Sequence, residues 1–359
     1  MKKSVRIVTG LGLSVAAAAA LAGCSSSSSG TEETQTEVQA VMSGVNYSCD
    51  APKADTMTDI TIAAVPIVSN GALYAGVDRG FFAKHGLNAK LSSVNGLPAS
   101  IAAVQGGSVN FAFTGTIATF QAIDQGIPLT IVAPFAGIAP KYWEKMQAGE
   151  EGYTREVTAI LVSPTSGIED PGDLNGKTVA IADPKGQGEL TVRHVINANG
   201  GDADTVKFTT MSYADAANAL MAGQVDAAYS TEPAMTPAEK AGYKIISWPA
   251  VETFHEGPTS AMVASSDYVL KNPEVVARFN CAIQETTAFG RENPDVVRAT
   301  AAREQKVDPA TLAKAVVPYY YSKVDMAGLE RFYKIEKEEG FISSDIDLNA
   351  VVVPQALNE

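Results

Sequence analysis

The chain has 359 residues, is 46% hydrophobic and 19% charged, and carries a formal charge of −13. That is enough apolar material for two packed lobes, more than one small domain would need, and the acidic balance argues against nucleic acid or a polybasic membrane patch as a partner. Its three histidines, His85, His194 and His255, are far apart, and neither a His-x-x-x-His nor a Cys-x-x-Cys pattern occurs, so no metal site is expected.

The first residues read as a targeting segment. Lys2, Lys3 and Arg6 precede an apolar stretch from Ile7 to Ala22, which is too short and alanine-rich for a membrane span and is set apart from the fold. Leu21, Ala22, Gly23 and Cys24 close it and look like a bacterial lipobox, in which small residues admit a signal peptidase and the thiol receives the lipid. Two or more acyl chains on Cys24 would hold the protein stably on the outer face of a membrane. Residues 1–23 are therefore expected to be a lipoprotein signal peptide. Residues 24–54 open on Ser25 to Gly30 and an acidic, threonine-rich run to Glu37; lacking apolar periodicity, they are expected to form a flexible tether, with folded structure beginning near Asp55. Lipidation of Cys24 would leave Cys49 and Cys281, and an even pair in an oxidising compartment suggests a disulfide tying the start of the folded region to a later helix.

From Asp59 the chain alternates short β-rich runs with helical stretches, the pattern of an α/β fold with mostly parallel strands. Strands are predicted at Ile60 to Val65, Lys90 to Val94, Val109 to Phe113, Leu129 to Val132, Ala159 to Val162, Thr178 to Ile181, Val206 to Thr209 and Ala227 to Tyr229. Beyond about Ser265 helices dominate: Pro273 suits a first helical turn, and apolar-periodic runs follow Pro294, Pro309 and Asp325. The division this implies is a first part of lobe 1 over 55–160, lobe 2 over 161–252 and a return to lobe 1 over 253–359.

An ungapped internal similarity relates Ile101 to Gly126 with Ala217 to Gly242. Ala103, Gly107, Val109, Ala112, Ala118, Ala122 and Gly126 match Ala219, Gly223, Val225, Ala228, Ala234, Ala238 and Gly242 in register. Both copies read as helix, tight glycine turn, short buried strand, loop and helix, with the glycines where a turn and a helix end need them. Two lobes built on one plan follow. In open α/β sheets ligands bind beyond the carboxyl ends of strands, which points to Thr114, Gly115 and Thr116 in the first copy and Ser230, Thr231 and Glu232 in the second, facing each other across a cleft between hinged lobes.

The residues at this point resemble the solute-binding proteins of sulfonate, taurine and nitrate-type importers, a branch of the type 2 periplasmic binding-protein fold. The carriers are Gly80 to Leu87 (GFFAKHGL), Gly107 to Ala112 (GSVNFA), Gly223 to Ala228 (GQVDAA), Ser166 to Ile168 with Pro171 to Lys177 (PGDLNGK), and Glu232-Pro233. The resemblance implies a two-lobed fold with the ligand between lobes, touched by Pro66, Ser69 and Asn70 after the first strand, by Thr114 to Thr116, and by Lys185, Gln187 and Gly188 in the second lobe. Asn95 and Gly96, after the second strand, are added to that set. Gly186 and Gly188 open a helix whose free N–H groups and dipole would suit an anionic head group. The chain departs from the sulfonate pattern at Thr231, where the pattern has a tryptophan before Glu232, and Glu232 has two readings, a hydrogen-bond acceptor for an amine-bearing or heterocyclic ligand or a cap for local backbone N–H groups.

Enzymatic signatures are lacking: no Gly-x-Ser-x-Gly elbow occurs, and Asn175-Gly176-Lys177-Thr178 lacks the first glycine of a phosphate loop and leads into a strand. Tyr319, Tyr320 and Tyr321 read as packing of a late helix rather than as a cleft mouth. The resemblance therefore implies a lipid-anchored, monomeric binding component that takes no cofactor, catalyses nothing and hands a small solute, an aliphatic sulfonate or taurine first, to an ABC permease. A pyrimidine-type vitamin precursor, a small aromatic or carboxylate compound, and a thiamine-pyrimidine-synthase-like enzyme of the same fold are the alternatives.

Overall fold

The computed structural model describes residues 29–50, 56–232 and 234–357. The signal segment, Cys24 and Pro233 lie outside them. In chain order the strands are β1 (Thr58–Ala64), β2 (Leu87–Ser93), β3 (Phe111–Gly115), β4 (Leu129–Pro134), β5 (Ala136–Gly137), β6 (Thr158–Val162), β7 (Thr178–Ile181), β8 (Lys207–Thr210), β9 (Ala227–Thr231), β10 (Lys244–Ser247), β11 (Ser260–Ser265) and β12 (Tyr319–Tyr320). The helices that bear on the site are α1 (Ser29–Ser43), α2 (Leu97–Gln105), α3 (Thr116–Asp124), α4 (Gln187–Ala198), α5 (Tyr213–Met221), α6 (Met235–Lys240), α7 (Pro273–Glu292) and α8 (Met326–Glu338).

Two five-stranded sheets form, one in the order β2-β1-β3-β11-β4 and one in the order β10-β6-β9-β7-β8. Read backwards, the second repeats the plan of the first. In each sheet four strands share one direction and one is reversed: β11 runs antiparallel to both β3 and β4, and β6 antiparallel to both β9 and β10. These two reversed strands are the first that the chain enters after crossing from one lobe to the other. They enter from the side at which the remaining strands end, so their amino ends lie beside their neighbours' carboxyl ends. The predicted boundary at 160 shifts a few residues earlier, because β6 already belongs to the second sheet from Thr158.

Strand alternation explains the cores, since successive side chains point to opposite faces. In lobe 2, Ile160, Val162, Val179, Ile181 and Tyr229 pack on one face, while Ala159, Leu161, Ala180 and Ala228 pack on the other. The matched glycines of the internal repeat adopt matched conformations: φ is +69° at Gly107 and +68° at Gly223, +80° at Gly126 and +94° at Gly242. The left-handed region carries a steric cost for any side chain bearing a Cβ, so both copies place glycine at the same backbone need.

The segment expected to be a tether is corrected over much of its length. Ser29–Ser43 is helical, with Val38 and Met42 fully buried in the lobe 1 core. Gln39 Nε2 donates to the carbonyls of Ala350 and Val352 at 3.0 and 2.8 Å. The composition of the run concealed this, because only one narrow face of α1 is apolar and it is covered by the Ser266–Lys271 helix and the C-terminal segment, not by neighbours in sequence. Cys49 is bonded to Cys281 of α7, with Cα atoms 5.2 Å apart. No helix among the described residues is long and apolar enough to cross a membrane.

Candidate functional site

A cavity of about 790 Å³ lies between the two sheets, within the range of small-molecule sites. From lobe 1 it is lined by Val65 to Ser69 after β1, by Asn95 and Gly96 after β2, and by Phe113 and Gly115 of β3. Lobe 2 contributes Asp183, Gln187 and Gly188 after β7, Tyr213, and Tyr229, Thr231 and Glu232 of β9 and its end. The starts of the two reversed strands add Glu156 to Thr158 and Thr259 and Ser260, and the segment from Gln305 to Pro318 adds Val307, Thr311 and Val316.

Of the residues expected at the site, Pro66, Ser69, Asn95, Gly96, Gly115, Gln187, Gly188 and Glu232 reach the cavity. Five do not line it, and each for a local reason. Thr114 and Ser230 fall on the wrong side of the strand alternation: Phe113 and Gly115, Tyr229 and Thr231 face the cavity, so the residue between each pair turns into the sheet's other face. Both hydroxyls are fully buried there and lack a hydrogen-bond partner. Thr116 is used for fastening, its hydroxyl donating to Pro258 O at 2.6 Å and its N–H to Thr259 O at 3.0 Å. Asn70 donates through Nδ2 to Val65 O at 2.8 Å and so shapes the loop after β1 from behind. Lys185 is exposed at a left-handed turn, φ +54°. Its N–H donates to Glu189 Oε2 at 2.7 Å and its carbonyl accepts from Gln121 of α3, a contact between the lobes.

Glu232 is engaged by its own lobe. Its carboxylate accepts from the N–H and hydroxyl of Thr236 at 3.2 and 2.6 Å and from Arg155 at 3.1 Å. Arg155 also holds Glu239. The capping reading of Glu232 therefore describes its bonds. Among the tyrosines, Tyr320 is buried and donates to Ser69 O at 2.7 Å, and Tyr321 donates to Ile138 O at 2.6 Å; they brace the cavity wall from behind.

Sequence reasoning missed Glu156, Asp183, Tyr213 and Tyr229. Asp183 was within reach of the rule that sites follow strand ends, since it stands two residues beyond β7. Glu156 was not, because it precedes a reversed strand whose amino end is the one that faces the cavity. One Glu156 oxygen accepts from the N–H and the hydroxyl of Thr158, both at 2.8 Å. Burial pushes the Glu156 carboxyl up from the ordinary range against those hydrogen bonds, and burial likewise raises Asp183. The Tyr229 hydroxyl lies 3.4 Å from Gln187 Nε2, and its ring centroid is 6.2 Å from that of Tyr213. Burial, followed by the field of Glu156, raises the Tyr229 phenol, which stays a neutral donor. No Lys, Arg or His lines the cavity among the described residues, nor do those residues contain a group of three or more His, Cys, Asp or Glu able to hold a metal.

Two like α/β lobes around a central cavity define the periplasmic binding-protein fold, and solved structures bear this out. The periplasmic aliphatic sulphonate binding protein SsuA of Escherichia coli superposes with a TM-score of 0.65 at 17% identity, over 84% of this chain and 94% of that one. The ligand binding component of an ABC-type import system from Staphylococcus aureus gives 0.67 at 13%, over 84% and 98%. The desulfurization enzyme DSZB gives 0.57 at 15%, over 82% and 96%. A Brucella abortus (strain 2308) relative, named as a binding protein, is 26% identical over 238 residues, 66% of this chain and 67% of its own length. Residues 69–143 and 148–297 match the family described as NMT1/THI5 like, and the chain belongs to that family.

Proposed function

We propose that this chain is the extracytoplasmic solute-binding component of an ABC importer, anchored by lipid on Cys24, which captures a small organic solute by closure of its lobes and presents it to a permease. The observation that carries the reading is the cavity between two lobes of one plan, lined from both sheets and from both crossover strands. The names borne by the E. coli and S. aureus neighbours agree with it. The alternative of an enzyme has a fold neighbour in DSZB. Against it, no histidine or cysteine lines the cavity among the described residues, so serine hydroxyls there have no imidazole to activate them.

Binding by one class of solute, without turnover, is the expected behaviour. A thermal-shift screen of sulfonates, pyrimidines, small aromatics, carboxylates and amines tests it, since a ligand at 100 times its dissociation constant adds about 2.7 kcal/mol to the folded state. Chemical conversion of a stabilising compound, followed by mass spectrometry, would move the protein to the enzymes. The anchor is tested separately by a fatty-acid analogue in cells: label is expected on the native chain and lost in Cys24→Ser.

A further inference from the structure

We propose that the cavity selects a solute carrying a basic, N–H-rich group, an amine or amidine on an apolar body, and that Glu156 and Asp183 are the residues that select it. This rests on the capture reading above and narrows it from a small organic solute to one chemical class.

Both carboxyl groups line the cavity. Glu156 is 4% exposed, and neither it nor Asp183 forms an ion pair among the described residues. The nearest cation in sequence, Arg155, is spent on Glu232 and Glu239. Burial favours the neutral form of Glu156 until a cation arrives to pair with it; Asp183 is half-buried, and both face the cavity, from which such a partner can arrive. A sulfonate or nitrate would add its negative charge beside both carboxyl groups in a poorly solvated space, where like charges repel strongly.

The feature that had suggested an anion site, the amino end of α4, now reads differently. Glu189 in its first turn already accepts from the Lys185 N–H at 2.7 Å, and Asp183 stands just ahead of the helix on the cavity side. A carboxylate of the protein thus shares the end where a ligand anion was expected. The remaining walls suit the rest of such a solute: Phe113, Tyr213 and Tyr229 offer apolar surface and aromatic faces that also attract cations.

Calorimetry on the chain from residue 24 carrying Cys24→Ser, with three probes of one skeleton, tests the proposal: benzamidine, benzyl alcohol and benzenesulfonate. The expected order has benzamidine at least tenfold tighter than benzyl alcohol and benzenesulfonate weakest. Asp183→Asn and Glu156→Gln should each weaken benzamidine at least tenfold; Asp183→Asn, which touches no hydrogen bond of the fold, guards against a folding artefact in the other. Benzenesulfonate binding tightest, with both variants indifferent, would overturn the selection while leaving capture intact. If none of the three binds, the selection is overturned, while capture stands or falls with the thermal-shift screen.

Discussion

Glu336 is a fully buried carboxyl group of lobe 1. It lies on α8 at 0% exposure, and burial, opposed by a hydrogen bond from Gln121 and reinforced by Asp124, pushes its pKa to about 9. Since that value stands above the unfolded one near 4.5, the folded state holds the proton more tightly, and linkage makes stability fall as pH rises from about 4.5 through 9. Glu336→Gln should therefore raise the melting temperature most at pH 8–9 and flatten its pH dependence; equal melting curves for the two proteins across that window would contradict the assignment. At Thr114 and Ser230 the buried hydroxyls lack partners, and an orphaned buried polar group costs about 1–3 kcal/mol. Thr114→Val is expected to leave solute affinity unchanged and stability equal or higher, measured by denaturant melts and calorimetry. The sequence located both strand ends that carry these residues but could not give their phase, because a one-residue shift exchanges every inward side chain for an outward one. Gly115 and Thr231, each one residue further on, face the cavity instead.

At the scale of elements, α1 and the disulfide replace the expected tether with a clasp. The clasp joins the beginning of the described chain to α7 through Cys49 and Cys281 and to the C-terminal segment through Gln39. The bridge spans 232 residues, and removing a native disulfide costs about 2–5 kcal/mol. Cys49→Ser with Cys281→Ser should lose stability of that order in denaturant melts while keeping solute affinity, because neither residue approaches the cavity; a matching loss of affinity would show that the clasp shapes the site. Strands rich in valine and isoleucine, such as β1, β4 and β6, were legible from their runs. The strands β10 and β11 were not, since Lys244-Ile245-Ile246-Ser247 is brief and Ser260 to Ser265 is mostly small residues. Missing β11 concealed the reversal of the crossover strands, and with it the cavity-facing place of Glu156 and Ser260.

At the scale of the molecule, the repeated plan was the most legible feature, because backbone positions with positive φ favour glycine in both copies and leave a mark in composition. What the repeat could not convey is the chemistry of the gap, which comes from residues outside it: the loop after β1, Asp183 after β7 and the amino ends of β6 and β11. Contacts that join the lobes are both polar and apolar: Gln121 meets the Lys185 carbonyl and His194 lies 3.6 Å from Glu339, while Leu190 of α4 is fully buried with Ala250, Val251 and Phe254 in the lobe 1 core. Closure therefore has to pivot about this apolar contact.

The central claim, closure on a bound solute, is tested most directly by the distance between spin labels at Lys90→Cys on β2 and Lys207→Cys on β8, one exposed site on each lobe. With a saturating amount of the strongest stabiliser from the thermal-shift screen, the distance distribution should shift and narrow to a single population. A distribution that is the same with and without that compound would contradict the account.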